Sequence, residues 1–246
     1  MAVKHNALHQ FTVGLNNAPT SHPANVLPFT HPVFQGWKVY YEQFTDGAVR
    51  VDDAFWNITA LTTGTIVAGS ENSLELSSKA TTTNSGYIVQ RNLADIELTD
   101  NTKKFYLETR VKFTHTAGTV KANEWFVGWA SDEQATASGG ILWDADEILG
   151  FGHLDADTSV YFISREDNNN QLISLGADLT TGVYAKFACY FDGTNFNLYK
   201  DDSLVGVSPM TELNDDEGMV FQVLLKTGEG KTNTLNVQYA LLACEL

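Results

Sequence analysis

Acidic side chains cluster at three places in this sequence, and clusters of carboxylates are one way in which a protein holds calcium. The three clusters are Asp144 with Asp146, Asp155 with Asp157, and residues 215–217. Calcium takes roughly six to eight oxygen ligands in a flexible geometry, which such loops can supply. Solvated loops are the commoner role of these residues in an acidic protein, so we predict no resident metal and no cofactor. Trp143 beside Asp144 is a candidate glycan-binding pair, although a protein core also uses tryptophan.

The sequence lacks the patterns that support nucleophilic catalysis or zinc binding. His115 and His153 are isolated, and neither G-x-S-x-G nor C-x-x-C occurs. An active nucleophile needs an adjacent base, and zinc needs Cys or His ligands at close spacing. Cys189 and Cys244 both lie in apolar stretches. We predict buried free thiols at both positions, with a disulfide as the alternative.

Residues 1–41 differ in composition from the rest of the chain. They contain four of the five prolines, several apolar side chains and no Asp or Glu. Regularly spaced prolines exclude a helix or an interior strand and favour an extended chain. We predict an N-terminal arm over residues 1–41 that docks on a partner surface or, alternatively, wraps its own domain. Its predicted partner-binding anchors are isolated apolar side chains, namely Phe11, Leu15, Leu27, Phe29, Phe34 and Trp37.

Charge and hydropathy narrow the classes of partner. The formal net charge is −15 and the isoelectric point about 4.6, which opposes binding to a phosphate backbone. No run of apolar residues is long enough for a membrane span. We therefore predict neither a nucleic-acid partner nor a membrane partner.

From residue 42 onward the chain alternates strand-like segments with turns. Apolar and polar residues alternate from Phe105 to Phe113 and again from Val183 to Phe191, and this period of two is typical of half-buried strands. Asp192-Gly193 then marks a hairpin turn. Residues 131–137 and 208–213 allow at most one helical turn each. The sequence predicts an all-β fold over residues 42–246, built as a two-sheet antiparallel jelly-roll sandwich.

Five segments follow one another in a recognisable order: FYLETRVKF, EWFVGWASDE, ILGFG, YFISRED and VYAKFACYFDGTNFNLYKDDSLVG. In this order they resemble the concanavalin A-like lectin/glucanase jelly roll. The variant is most similar to proteins of this fold found among tailed-bacteriophage virion structural proteins. The resemblance covers residues 55–246, excludes the arm, and is specific for fold rather than for function.

The resemblance also implies a test for enzymatic activity. Members that hydrolyse glycans carry an E-x-D-x-x-E pattern on one strand, which projects the acid and the nucleophile from one face about 5 Å apart. The nearest acidic residues here are Asp144, Asp146 and Glu147, which precede the ILGF segment and leave it without an acid. We therefore predict that the protein is not an enzyme.

The arm and the resemblance together suggest a structural role. We predict a capsid decoration or cement protein on the outer capsid surface of a virion, where it stabilises the shell. Its predicted partners are the major capsid protein, through the arm, and sister protomers in a trimer or dimer. The alternative is a carbohydrate-binding, lectin-like module of a phage tail fibre or spike, with Trp143 and Asp144 as the glycan-binding residues.

Overall fold

A computed structural model describes residues 37–44, 56–60, 64–69, 73–78, 85–91, 96–97, 103–115, 123–131, 147–154, 157–167, 169–177, 179–213, 218–227 and 232–245. Within these ranges the regular elements are all strands. Accordingly, no helix in the described part of the chain is long and apolar enough to cross a membrane.

Sixteen strands make up the described fold. In chain order they are β1 (Trp37–Gln43), β2 (Trp56–Ala60), β3 (Gly64–Gly69), β4 (Ser73–Ser78), β5 (Ser85–Arg91), β6 (Ile96–Glu97), β7 (Phe105–His115), β8 (Asn123–Ala130), β9 (Ile148–His153), β10 (Ser159–Glu166), β11 (Asn169–Ala177), β12 (Tyr184–Phe191), β13 (Asn195–Lys200), β14 (Ser203–Pro209), β15 (Gly218–Thr227) and β16 (Asn233–Glu245).

The strands form two antiparallel sheets of eight strands each. Sheet A has the order β14-β13-β12-β7-β16-β4-β3, and β1 also pairs with β16. Sheet B has the order β11-β10-β9-β8-β15-β5-β2, and β6 also pairs with β15. Neighbours that are distant in sequence, such as β7 and β16, mark the crossovers between sheets that define a jelly roll.

The two sheets pack face to face around an aromatic core. Each strand presents alternate residues to this core, as the pleat of a β-strand requires. The rings of Phe162 in sheet B and Phe196 in sheet A lie 4.9 Å apart between centroids, and Phe191 lies 5.2 Å from Phe196. All three side chains are fully buried. Burial of one such ring contributes about 1.5–3 kcal/mol relative to its exposure, so this layer supplies much of the stability.

The predicted fold class is confirmed, since the described chain is an antiparallel two-sheet jelly roll. Three local details differ from the sequence reading. Val183 is 53 % exposed and precedes β12, so it does not share the buried face of Phe187. The strand β11 was not predicted. Residues 210–213 form no helical turn, because the Oε1 atom of Gln171 accepts the backbone N–H groups of Thr211 and Glu212 at 2.8 Å and 3.2 Å.

Strand β1 lies across the predicted boundary between the arm and the jelly roll. Its register pairs Trp37 with Glu245 and Gln43 with Tyr239, which places residues 37–43 in sheet A. The predicted anchors Phe11, Leu15, Leu27, Phe29 and Phe34 lie outside the described residues. For Trp37 the described part is its backbone pairing, so its role as an anchor remains a prediction.

Candidate functional site

Strand β9 of sheet B is the strand on which the sequence resemblance places a carboxylate motif. Its residues Leu149 and Phe151 point into the core between the sheets. By alternation Ile148, Gly150 and Gly152 point to the opposite side, which we call the outer face of sheet B. The outer-face positions of β9 are therefore occupied by one isoleucine and two glycines. The absence of an acid from this strand agrees with the sequence reading.

Three glycines of the outer face, Gly128, Gly150 and Gly152, accommodate the ring of Phe126. A Cβ atom placed on Gly128 would lie 2.6 Å from Cζ of Phe126, and one on Gly150 would lie 2.7 Å from Cε2 of the same ring. At Gly152 the corresponding distance to Cδ2 is 3.6 Å. The Phe126 ring thus lies against backbone that is free of side chains, and it is fully buried. Only glycine permits this close approach of a ring to two adjacent strands.

Three amide side chains continue the same row across the sheet. The register pairs Gly128 with Gln222, Gln222 with Gln90, and Gln90 with Asn57. All three point to the outer face, since their neighbours Phe221, Val223 and Val89 belong to the core. Burial decreases along this amide row: Gln222 is fully buried, Gln90 is half-buried and Asn57 is exposed. The row therefore leads from the glycines out to solvent at the edge strand β2.

Gln90 carries a buried acceptor in this row. Its Oε1 atom is buried and has no hydrogen-bond partner among the described residues. An unsatisfied buried acceptor costs about 1–3 kcal/mol, so a hydroxyl or amide donor brought to it would be bound favourably. A carboxamide both donates and accepts, which matches the bonding of a sugar hydroxyl.

One ion pair also lies on this face. Glu124 and Lys226 are direct cross-strand partners, and Nζ of Lys226 lies 3.8 Å from Oε2 of Glu124. Both side chains are almost fully buried. Among the sheet B strand residues whose side chains are described, Glu124 is the carboxylate that points to the outer face.

Asp157, one of the predicted calcium candidates, is held by its own loop. The hydroxyl of Tyr161 donates to its Oδ2 atom at 2.7 Å, and the backbone N–H of Thr158 donates to Oδ1 at 2.6 Å. The bond from Tyr161, followed by that from Thr158, lowers the pKa of Asp157 below its usual value. The same bond raises the pKa of Tyr161. In the part of the chain that the structure describes, no group of three His, Cys, Asp or Glu side chains could hold a metal ion.

The remaining predicted site residues divide into two sets. Trp143 and Asp144 lie outside the described residues, so their role in glycan binding remains a prediction. Both cysteines are free and buried, as the sequence predicts. Burial raises the pKa of Cys244 to about 12 and that of Cys189 well above its usual value, so neither forms a reactive thiolate.

The two isolated histidines, His153 and His115, each contact another part of the chain. Nδ1 of His153 is 2.7 Å from the backbone oxygen of Asn123, and both residues are buried. The backbone N–H of His115 donates to the hydroxyl of Thr181 at 3.2 Å.

Comparison with known proteins finds solved structures that share this architecture. No family model and no curated protein sequence matches the chain. Among solved structures, an endo-1,3-beta-glucanase from Streptomyces sioyaensis is similar with a TM-score of 0.58 and 10% identity, over 87% of this chain and 98% of the other. The Emp47p carbohydrate recognition domain is similar with a TM-score of 0.59 and 9% identity, over 86% and 98%. A laminarinase catalytic domain from Thermotoga petrophila has a TM-score of 0.55 and 14% identity, over 84% and 97%.

These similarities show that the chain has a jelly-roll fold like that of the matched glucanase, laminarinase and carbohydrate recognition domain structures. They correct two predictions. The prediction of a capsid decoration role is wrong, since the similar solved structures named above are glucan hydrolases and a carbohydrate recognition domain. The prediction that the protein is not an enzyme is also wrong, because it treated the missing motif as decisive in a fold whose matched structures include several endo-glucanases. At this level of identity the similarity itself establishes the fold.

Proposed function

We propose that this protein binds a neutral glycan on the outer face of sheet B, along the side formed by β5 and β2. The observation that carries the proposal is the amide row of Asn57, Gln90 and Gln222, with the buried, unsatisfied Oε1 acceptor of Gln90. The fold supports it, because the matched structures include glucanases and a carbohydrate recognition domain.

The location on the sheet follows from burial. Ile88, Phe126 and Leu224 in the middle of the outer face are fully buried, so they present no free surface. Exposure increases toward Asn57, and the half-buried Gln90 lies between this exposed residue and the buried centre of the face. A sugar chain that lies across β5 and β2 exchanges its hydroxyl hydrogen bonds with water for bonds to these amides. Uncharged donors and acceptors favour an uncharged ligand, because a buried charge without a partner is costly.

Hydrolysis of the bound glycan is a second candidate function, and Glu124 favours it. It is a buried carboxylate on the same face as the amide row. Glycoside hydrolysis uses a pair of carboxyl groups about 5–9.5 Å apart, so Glu124 would supply one of the two.

The binding proposal is tested by titration calorimetry with laminarihexaose, a β-1,3-glucan oligosaccharide. Gln90→Ala should weaken binding about tenfold, because one hydrogen bond in a desolvated site contributes about 1–2 kcal/mol. Gln43→Ala is the matched control, since Gln43 lies on sheet A. The proposal fails if the wild-type protein binds no neutral glycan oligosaccharide, or if the two variants lose affinity equally.

Hydrolysis is tested on the same samples by release of new reducing ends. Glu124→Gln should abolish release and retain oligosaccharide binding, while Glu212→Gln at a position away from the outer face should retain both. If the wild-type protein releases reducing ends and Glu124→Gln releases them equally well, Glu124 is excluded as a catalytic residue.

A further inference from the structure

The outward side of sheet A, opposite the proposed glycan face, carries a compact group of cations. On β7 the outward positions include Arg110 and Lys112, and on β12 they include Tyr184 and Lys186. The register pairs Arg110 with Lys186 and Lys112 with Tyr184. Cations on neighbouring positions are unusual in a chain whose formal net charge is −15. We call Arg110, Lys112 and Tyr184 the cation patch.

Arg110 and Lys112 both contact the ring of Tyr184. Cζ of Arg110 lies 5.1 Å from the ring centroid, and Nζ of Lys112 lies 4.8 Å from it. Both distances are within the range of a cation–π contact, which contributes about 0.5–1 kcal/mol at exposed sites. Arg110 and Lys112 are two residues apart on one strand, so their Cα atoms are about 7 Å apart. The ring therefore keeps two positive charges side by side.

Three of the described carboxylates near the patch, Glu108, Asp202 and Glu75, are bonded to other groups. Lys186 forms ion pairs with Asp202 and, at 3.9 Å, with Glu108. Glu108 also accepts hydrogen bonds from the hydroxyls of Tyr106 and Tyr239. On the other side, Glu75 accepts a hydrogen bond from Nδ2 of Asn236 at 2.9 Å.

Arg110 has a neutral partner. Its Nη1 atom donates to Oε1 of Gln238 at 2.9 Å, and the side chain is exposed. No carboxylate of the described residues forms an ion pair with Arg110. Arg110 lies directly opposite Lys186 on the neighbouring strand, and like charges in this position destabilise a sheet, so an anion bound to Arg110 would offset this cost.

We propose that the cation patch binds the carboxylate groups of an acidic glycan, a sugar chain that contains uronic acid residues. The planar guanidinium of Arg110 forms two parallel hydrogen bonds with a carboxylate, and Lys112 contacts the next one as a point charge. The choice of a glycan rests on the proposed function. A short acidic segment fits better than a long polyanion, because the rest of the acidic surface repels the latter.

The test is binding of trigalacturonate, measured by titration calorimetry at low salt. The double variant Arg110→Gln with Lys112→Gln should weaken binding about tenfold to hundredfold, in the range expected for charge-assisted hydrogen bonds. The double variant Lys103→Gln with Lys104→Gln removes the same charge just before β7 and should change binding by less than about twofold. Tyr184→Leu, which keeps both cations and removes the ring, should give an intermediate loss. Added salt should weaken the wild-type complex.

Three results would overturn the proposal. The first is no saturable binding of trigalacturonate by the wild-type protein, and the second is an equal loss in both double variants. The third is concentration-dependent self-association that Arg110→Gln with Lys112→Gln abolishes, which would assign the patch to contact between copies of the chain. Laminarihexaose binding on the same samples separates the two sites, because it depends on Gln90 and not on the cation patch.

Discussion

Replacement of Gly150 by alanine tests the close packing under the proposed glycan face. The added Cβ atom would lie 2.6 Å from the backbone oxygen of Val127 and 2.8 Å from Cα of Gly128, besides its contact with the Phe126 ring. Two of these three atoms belong to the backbone of β8, so relief of the clash requires β8 and β9 to separate. Overpacking of this kind costs about 1–3 kcal/mol. For a chain of this size the melting temperature should fall by about 2–12 °C.

The assay is thermal unfolding of Gly150→Ala beside Gly206→Ala. No heavy atom lies within 4 Å of a Cβ placed on Gly206, which is in the edge strand β14. Alanine there reduces the entropy of the unfolded chain and should raise stability by about 0.4–1 kcal/mol. If Gly150→Ala melts at or above the temperature of Gly206→Ala, the argument from close approach is refuted.

Three further predictions concern titrating groups. Burial, and then the charges of Glu108 and Glu42, raise the pKa of Tyr41 to about 12. The neutral hydroxyl therefore contributes folding stability that is complete below pH 10 and is lost as the pH rises through about 12. Glu108→Gln should therefore lower the pH at which Tyr41 ionises, which ultraviolet titration of tyrosinate measures. An unchanged midpoint of this ionisation would contradict the influence of Glu108. Tyr161→Phe should move the pKa of Asp157 up toward its usual value in a carboxyl-resonance NMR titration, because it removes the largest cause of the depression; no movement would assign the shift to the backbone bonds. A thiol reagent should modify both cysteines only after unfolding, and rapid reaction of the native protein would contradict their burial.

The part of the fold that sequence could predict is the part in which one strand face is buried and the other is solvated. In β7 and β12 the alternation of apolar and polar residues reports this directly, and both strands were predicted. In β11 the inward position near its start is Gln171, whose amide binds the backbone of residues 209–212, so a polar residue interrupts the pattern. This strand could not be recognised from periodicity alone.

The candidate site depends on register, which the sequence does not reveal. Asn57, Gln90 and Gln222 become neighbours only because β2, β5 and β15 are adjacent in sheet B. Neither Gln90 nor Gln222 occurs in a local motif. Gly150 lies in a segment that the sequence reading examined for acids, yet its importance comes from the ring of Phe126 on another strand. Pairings between distant segments are therefore what sequence reasoning missed.

The position of β16 has a consequence for how the protein folds as it is synthesised. One side of this strand pairs with β7 along its length, and the other side pairs first with β4 and then with β1. The hydroxyl of Thr109 thus bonds to the backbone oxygen of Tyr239, 130 positions further along the chain. The two parts of sheet A, β14-β13-β12-β7 and β4-β3, cannot be joined until residues 233–245 have left the ribosome. Such non-local pairing slows folding to milliseconds or seconds, and nascent chains of this protein should depend on chaperones until the last strand is inserted.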